Sequence, residues 1–235
     1  MNNLSICFTN YNRTGLLYEA VEPFLNDTRI KEIVISDDNS DHDTITAIWH
    51  HYQFASKVRV HRNEVNLDCY HNKAKAIERA TGEWVCILDS DNIFSKEYID
   101  RMENLFAAGL NPKQIYQPEF ARPHFDFRHV SGKCITRQNV AELIDNSGTQ
   151  TMLNAMNYLV NRQEYLRVFD NDIRPVTSDS IYQNYRWIEA GNMIYVVPDF
   201  QYDHRVHDGS HYRQNVRRTP SHLHDDIVNR LKQMK

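Results

Sequence analysis

Apolar residues in the first ninety positions come in short blocks separated by polar turns. Ser5-Ile6-Cys7-Phe8-Thr9 is a brief apolar run that ends in polar residues, the pattern of a buried strand. Residues 14–25 place apolar side chains at helical spacing, with Thr14 as N-cap. Glu32-Ile33-Val34-Ile35-Ser36 reads as a second buried strand, ending at Asp37-Asp38. A helix over 43–52, a short strand at Val58-Arg59-Val60 and a helix over 69–80, closed by Gly82, follow. Trp84-Val85-Cys86-Ile87-Leu88 is a fourth strand and runs directly into Asp89-Ser90-Asp91.

This alternation predicts a single α/β, Rossmann-like domain whose central sheet is mostly parallel, with helices on both faces. Ligands of such sheets bind beyond the carboxyl ends of the strands. Three polar segments follow strands: Asn10-Tyr11-Asn12-Arg13, Asp37-Asp38-Asn39-Ser40 and Asp89-Ser90-Asp91. All three are expected on one edge. The second half is less regular. Helices are predicted over 96–107, 140–145 and 179–190, the last ended by Gly191. Residues 114–127 look extended and aromatic. Tyr158-Leu159-Val160 reads as a strand, and 193–197 as a strand stopped by Pro198. From Asp203 the chain is rich in His and Arg, a C-terminal tail or flap.

Composition narrows the picture. The 235 residues, 41% hydrophobic and 25% charged, suit one globular domain with an extension. A net charge of -4 speaks against a nucleic-acid binder, despite basic clusters at 122–129 and 211–218. None of Cys7, Cys69, Cys86 and Cys134 forms a CxxC pair, so no structural zinc site is expected. Free cysteines within strand runs point to a reducing cytoplasm. No signal peptide or membrane-length apolar run is visible, so any membrane contact is expected to be peripheral, at the inner face.

Asp89 and Asp91, two residues apart at the end of the most apolar strand, can both face a divalent cation that bridges a diphosphate. Hard oxygen ligands suit Mg2+ or Mn2+. Asp-x-Asp also occurs as a solvated turn; its place between a strand and a helix start near Ser95 favours the metal reading. A carboxylate at Asp37-Asp38 can accept hydrogen bonds from a base or ribose, or Asp38, Ser40 or Asp41 can cap the next helix. Asn39 fits a tight turn with positive φ.

Together, Thr9-Asn10-Tyr11-Asn12-Arg13, Ile35-Ser36-Asp37-Asp38-Asn39-Ser40, residues 66–82 and Ile87-Leu88-Asp89-Ser90-Asp91 resemble family 2 glycosyltransferases of the GT-A fold. The resemblance is close over about the first 100 residues and looser to about residue 215. Asn39 stands where the family has glycine, Asp68 where glycine is common, and Ser178 where a glutamate precedes the base. The resemblance implies a metal-dependent, usually inverting transfer of a sugar from a nucleoside diphosphate, commonly UDP. The acceptor would be a glycan, lipid-linked or protein-linked hydroxyl. It implies a donor half over 1–110 and an acceptor half over 111–235.

By the same resemblance Thr9, Tyr11, Arg13, Asp38, Lys73, Asp89 and Ser90 lie on the nucleotide side. Asp89, Asp91 and the late His207 would bind metal, with His204 or His211 as substitutes. Asp179 would be the general base, although it or its serine neighbours can equally cap a helix. Asn157 and Trp187 would lie on the acceptor side. Phe120 to Phe127, with Trp187 and Tyr185, offer a sugar platform or simply core packing. Arg213, Arg217 and Arg218 can reach a diphosphate or stay solvated. Two other functions share this architecture: a catalytically inactive sugar-nucleotide binding module, and a sugar-phosphate nucleotidyltransferase. Only seven glycines, and none in the first turn before Gly15, disfavour the latter.

Overall fold

The structure is a computed structural model and describes residues 3–145, 153, 157–210, 213 and 223–234. Its first half is β1 (Leu4–Asn10), α1 (Gly15–Leu25), β2 (Glu32–Asp37), α2 (His42–Tyr52), β3 (Val58–Arg62), α3 (Asp68–Arg79) and β4 (Trp84–Asp89). Then come α4 (Lys96–Ala108), β5 (Gln114–Arg122), β6 (Phe125–Asp126), β7 (Cys134–Ile135), α5 (Val140–Asp145), β8 (Tyr158–Asn161), α6 (Arg162–Val168), α7 (Asp179–Glu189), β9 (Met193–Asp203) and α8 (Leu223–Lys232). One sheet runs in the order β3-β2-β1-β4-β8-β5-β9-β7, with β6 beside β5.

The strands are apolar along their whole length because both faces are covered. Alternate residues go to opposite sides. Leu4, Ile6 and Phe8, with Ile33, Ile35, Cys86 and Leu88, pack against α1, α2 and α4. Cys7, Val34, Val85 and Ile87 pack against α3, α6 and α7. The sheet is parallel from β3 to β4, as the pattern predicts. The second half departs from that expectation: β8 is antiparallel to both β4 and β5, and β7 to β9, while β5 and β9 are parallel.

One further expectation is corrected. Pro198 does not stop the last strand. The bulge is in β9 itself: between the Pro118–Val197 and Phe120–Gln201 pairs, residues 198–200 face the single Glu119, which accommodates the missing donor. Glu119 Oε1 accepts from Asp199 N at 3.0 Å and Gln201 Nε2 at 3.2 Å, and β9 continues to Asp203. α8 buries Ile227 and Leu231 in the core beside α5 and α7. Among the caps, Asp41 holds α2 by accepting from Thr44 N at 2.8 Å, while Thr14 gives α1 no side-chain bond.

At the amino ends of the strands, Gly82 is required for space. A Cβ there would lie 2.5 Å from Ser5 Oγ and 2.7 Å from Asn3 O. Ser5 in turn donates to Glu32, which also accepts from Thr81 and pairs with Arg59.

Candidate active site

The carboxyl ends of the parallel strands come level. Asn10 pairs with Asp37, and Thr9 with Asp89, in the sheet register. The first two polar turns are stitched together: Asn12 N donates to Ser40 Oγ at 2.8 Å, and Asp41 N to Asn12 Oδ1 at 2.9 Å. Asn39 and Asp68 both have φ of 63°, so the two positions where glycine was expected do use the left-handed region. The short polar side chains of Asn and Asp tolerate it.

Asp37 and Asp38 divide the roles left open between them. Asp37 is fully buried and accepts from Asn10 Nδ2, Ser40 N and Ser40 Oγ, so it builds the turn. Asp38 lines the cleft, buried, and accepts from Asn63 Nδ2 at 2.9 Å and Leu67 N at 2.8 Å. Burial pushes its pKa up to about 6, against the pull of those two bonds and helped by Asp68 and Asp37.

Lys73 projects from α3 into the cleft floor with 6% of its side chain exposed. Its Nζ lies 2.7 Å from Asp179 Oδ2 and 3.4 Å from Asp89 Oδ1. Burial opposes the charge, but the attraction of Asp179 and Asp89 outweighs it and holds the ammonium pKa well above the ordinary range. Asp179 opens α7 at its N-terminal end, with Ser178 in the capping position, and its carboxylate meets Lys73. A buried lysine thus joins the expected nucleotide side to the expected base.

Asp91 belongs to a second cluster. Arg13 Nη1 lies 3.0 Å and His207 Nε2 3.1 Å from the same oxygen, Oδ2. Gly209 N donates to His207 Nδ1 at 3.1 Å, so in the neutral ring Nε2 carries the hydrogen and donates to Asp91. Arg13 Nη2 donates to Gly209 O at 3.0 Å. Residues 204–210 are further tied down by Arg205, whose backbone N donates to Asn92 Oδ1 and whose guanidinium pairs with Glu19. Asp89, Asp91 and His207 therefore face one cleft, yet Asp89 turns to Lys73. No three His, Cys, Asp or Glu side chains among the described residues cluster as a ready metal site. The donor set still fits a hard divalent cation. Mg2+ and Mn2+ are commonly held by one or two carboxylates while substrate phosphates and water complete the shell.

Thr9, Tyr11, Arg13, Asp38, Lys73, Asp89, Asp91, Asn157, Asp179 and His207 all line this cleft of about 1500 Å³. Two expected site residues do not. Trp187 is fully buried in the core and donates from Nε1 to Met193 O at 2.8 Å, so the helical stripe that holds it faces inward. Ser90 is buried under the turn and does not reach the cleft. Asn157 is 1% exposed and positions the site: its Oδ1 accepts from Asp89 N at 2.8 Å, and its backbone O from Tyr98 at 2.6 Å. Of the aromatic stretch only Phe125 lines the cleft; Phe127 is core, Phe120 lies under Arg128, and Tyr185 is buried beside Glu189.

His204 lines the same cleft as His207. Its Nδ1 lies 2.9 Å from His124 Nδ1, and burial, then His124, lowers its pKa. Arg213 lines the cleft and pairs with Asp208 at 2.6 Å. His211, Arg217 and Arg218 lie outside the described residues. Asn63, Asn92, His124, Tyr202 and Arg205 also build or border the cleft, and nothing in the sequence marks them. Each is a single polar or aromatic residue whose role depends on a contact from a distant segment.

The sequence model of Glycosyl transferase family 2 matches residues 5–125, just over half of the chain. Protein CgeD of Bacillus subtilis (strain 168) is 26% identical over 124 residues, 49% of this chain and 29% of the relative. The GalNAc(5)-diNAcBac-PP-undecaprenol beta-1,3-glucosyltransferase of Campylobacter jejuni is 31% identical over 94 residues, 39% of this chain and 30% of the relative. The matches thus span about three-tenths of the length of these curated relatives. The crystal structure of S. aureus TarS 1-349 in complex with UDP-GlcNAc superposes with a TM-score of 0.66 at 18% identity, covering 89% of this chain and 60% of that one. The complex with UDP gives 0.66, covering 97% and 70%. At this identity the likeness is one of fold.

Proposed function

The chain belongs to Glycosyl transferase family 2, and from that premise we propose that it transfers a sugar from a nucleoside diphosphate, UDP before others, to a glycan, lipid-linked or protein-linked hydroxyl, with inversion. One observation carries this reading: Asp38, Asp89, Asp91 and Asp179, from three separate segments, converge on one cleft of about 1500 Å³. That volume exceeds the roughly 300–1,000 Å³ of a usual small-ligand pocket, so donor and acceptor have room together.

On the donor side, residues 1–110, Asp38 accepts a hydrogen bond from the base, and the half-exposed ring of Tyr11 offers it a face. Thr9, Lys73 and Asp89 line the path to the diphosphate. Asp91 and His207, with Asp89, are the residues that would hold Mn2+ or Mg2+. When bound, such a cation neutralises charge on the departing diphosphate. Asp179 is the general base. Its Oδ takes the proton from the acceptor hydroxyl as that oxygen bonds to the anomeric carbon and the sugar–phosphate bond breaks. Lys73 orients Asp179 and favours its ionised form in a buried place. His124, Phe125 and His204, from residues 111–235, border the acceptor side.

Uridine is favoured because the TarS structures of the same fold were solved with UDP and UDP-GlcNAc. A lipid-linked acceptor finds support in the name of the Campylobacter relative. No helix among the described residues is long and apolar enough to cross a membrane. Our reading has contact with such an acceptor peripheral, at the cytoplasmic face. The test is UDP release from a panel of UDP-sugars with Mn2+, against an Asp179→Asn protein. Release slowed by roughly 10²- to 10⁴-fold in the variant is expected for loss of a general base. Equal release in both proteins would refute the assignment of Asp179.

A further inference from the structure

Three features of the cleft concern a single oxygen. Asp91 Oδ2, on a side chain 13% exposed, takes both Arg13 at 3.0 Å and His207 at 3.1 Å. The imidazole presents its N–H to Asp91, because Nδ1 already accepts from Gly209 N. A metal-bound histidine needs the reverse arrangement, with its other ring nitrogen carrying the hydrogen toward an acceptor. The second Arg13 nitrogen holds Gly209 O, the same residue whose N–H fixes the imidazole. Arg13 therefore neutralises the carboxylate and also secures the turn that keeps His207 in its non-ligating form.

We propose that Arg13 is a cation latch. Its guanidinium neutralises Asp91 until a nucleoside diphosphate arrives, so the divalent cation binds tightly only together with the nucleotide. The inference rests on the donor reading above. Arginine pairs with a diphosphate in bidentate fashion and with short, charge-assisted bonds. A diphosphate entering beside Thr9 and Asp89 draws Arg13 away from Asp91 and Gly209. Release of Gly209 frees the 207–210 turn that holds His207 against Asp91, so the imidazole can reorient toward the cation. Arg13 is then a positioning residue. By linkage, nucleotide and cation raise each other's affinity by one common factor.

The experiment measures Mn2+ binding from the free-ion EPR signal, with and without UDP, in the wild-type protein, Arg13→Gln and Arg13→Lys. Wild type is expected to bind Mn2+ weakly alone and far more tightly with UDP. Arg13→Gln, which has no charge to hold Asp91, is expected to bind Mn2+ alone roughly tenfold more tightly, with the UDP enhancement reduced by a similar factor. Arg13→Lys keeps the charge but reaches fewer partners, and is expected between the two. Wild-type affinity for Mn2+ alone in both variants would overturn the latch. Absence of Mn2+ binding with UDP in the wild type would instead refute the donor reading, and the latch would still be judged by Arg13→Gln with Mn2+ alone.

Discussion

Lys73→Met removes the ammonium that lies 2.7 Å from Asp179 Oδ2, and leaves a carboxylate whose side chain is 9% exposed. Breaking a buried pair by removing one partner costs about 3–5 kcal/mol. Asp179 has an escape, which is to take up a proton. From an ordinary aspartate pKa of about 3.9, at about 1.4 kcal/mol per pH unit, that uptake costs about 4 kcal/mol at pH 7 and about 1.5 kcal/mol at pH 5. The two routes are similar at pH 7, so the expected loss there is about 3–4 kcal/mol. At pH 5 protonation becomes the easier route, and the loss should fall to about 1.5 kcal/mol. The direction follows from linkage: a carboxyl that folds protonated contributes stability at low pH and loses it as pH rises. Urea unfolding of wild type and variant at both pH values measures this. Lys73→Met combined with Asp179→Asn should recover much of the loss at pH 7, because neither charge remains. An equal loss at pH 5 and pH 7, or a loss below 1 kcal/mol at pH 7, would refute the idea that Lys73 is the counter-charge of the base.

Asp38 gives a second pH effect. Its pKa lies near 6 in the folded chain, so UDP affinity, which uses the ionised carboxylate, should weaken as pH falls from 7 to 5. Stability runs the other way: the raised pKa favours folding at low pH, and that contribution is lost as pH rises through about 6. Calorimetry with Asp38→Asn should remove the Asp38 share of the pH dependence of UDP binding and leave the share that comes from the terminal phosphate of UDP. Gly82→Ala should cost about 1–3 kcal/mol by overpacking Ser5 and Asn3, read as a lower melting temperature. Trp187→Phe leaves Met193 O without its buried donor and should cost about 1–3 kcal/mol of stability, with UDP affinity unchanged.

The polar edge at the carboxyl ends of the parallel strands was legible in the sequence because it is local. Each of β1, β2 and β4 is an apolar run followed directly by its polar turn, and parallel register alone brings Thr9, Asn10, Asp37 and Asp89 level. Asp179 and His207 were reached through family resemblance, since nothing in their own neighbourhoods marks them apart from a helix cap or a surface histidine. What the sequence hid is pairing across long separations. Lys73 meets Asp179 across 106 residues and Arg13 meets Gly209 across 196, and periodicity carries no information on such contacts. Trp187 failed for a related reason. A helix near the site has an inward and a cleft-facing stripe, and α7 turns Trp187 to the core while Asp179 and Ser180 line the cleft. The antiparallel β8 and the strand through Pro198 were missed because short apolar runs do not encode direction, and a bulge can accommodate proline.

Calorimetric titration of UDP, with and without Mn2+, into wild-type and Asp91→Asn protein tests the central claim most directly. The account predicts that Mn2+ tightens UDP binding to the wild type, while the variant binds UDP with the same affinity in both conditions. Tightening by Mn2+ that survives in Asp91→Asn, or is absent from the wild type, would contradict it.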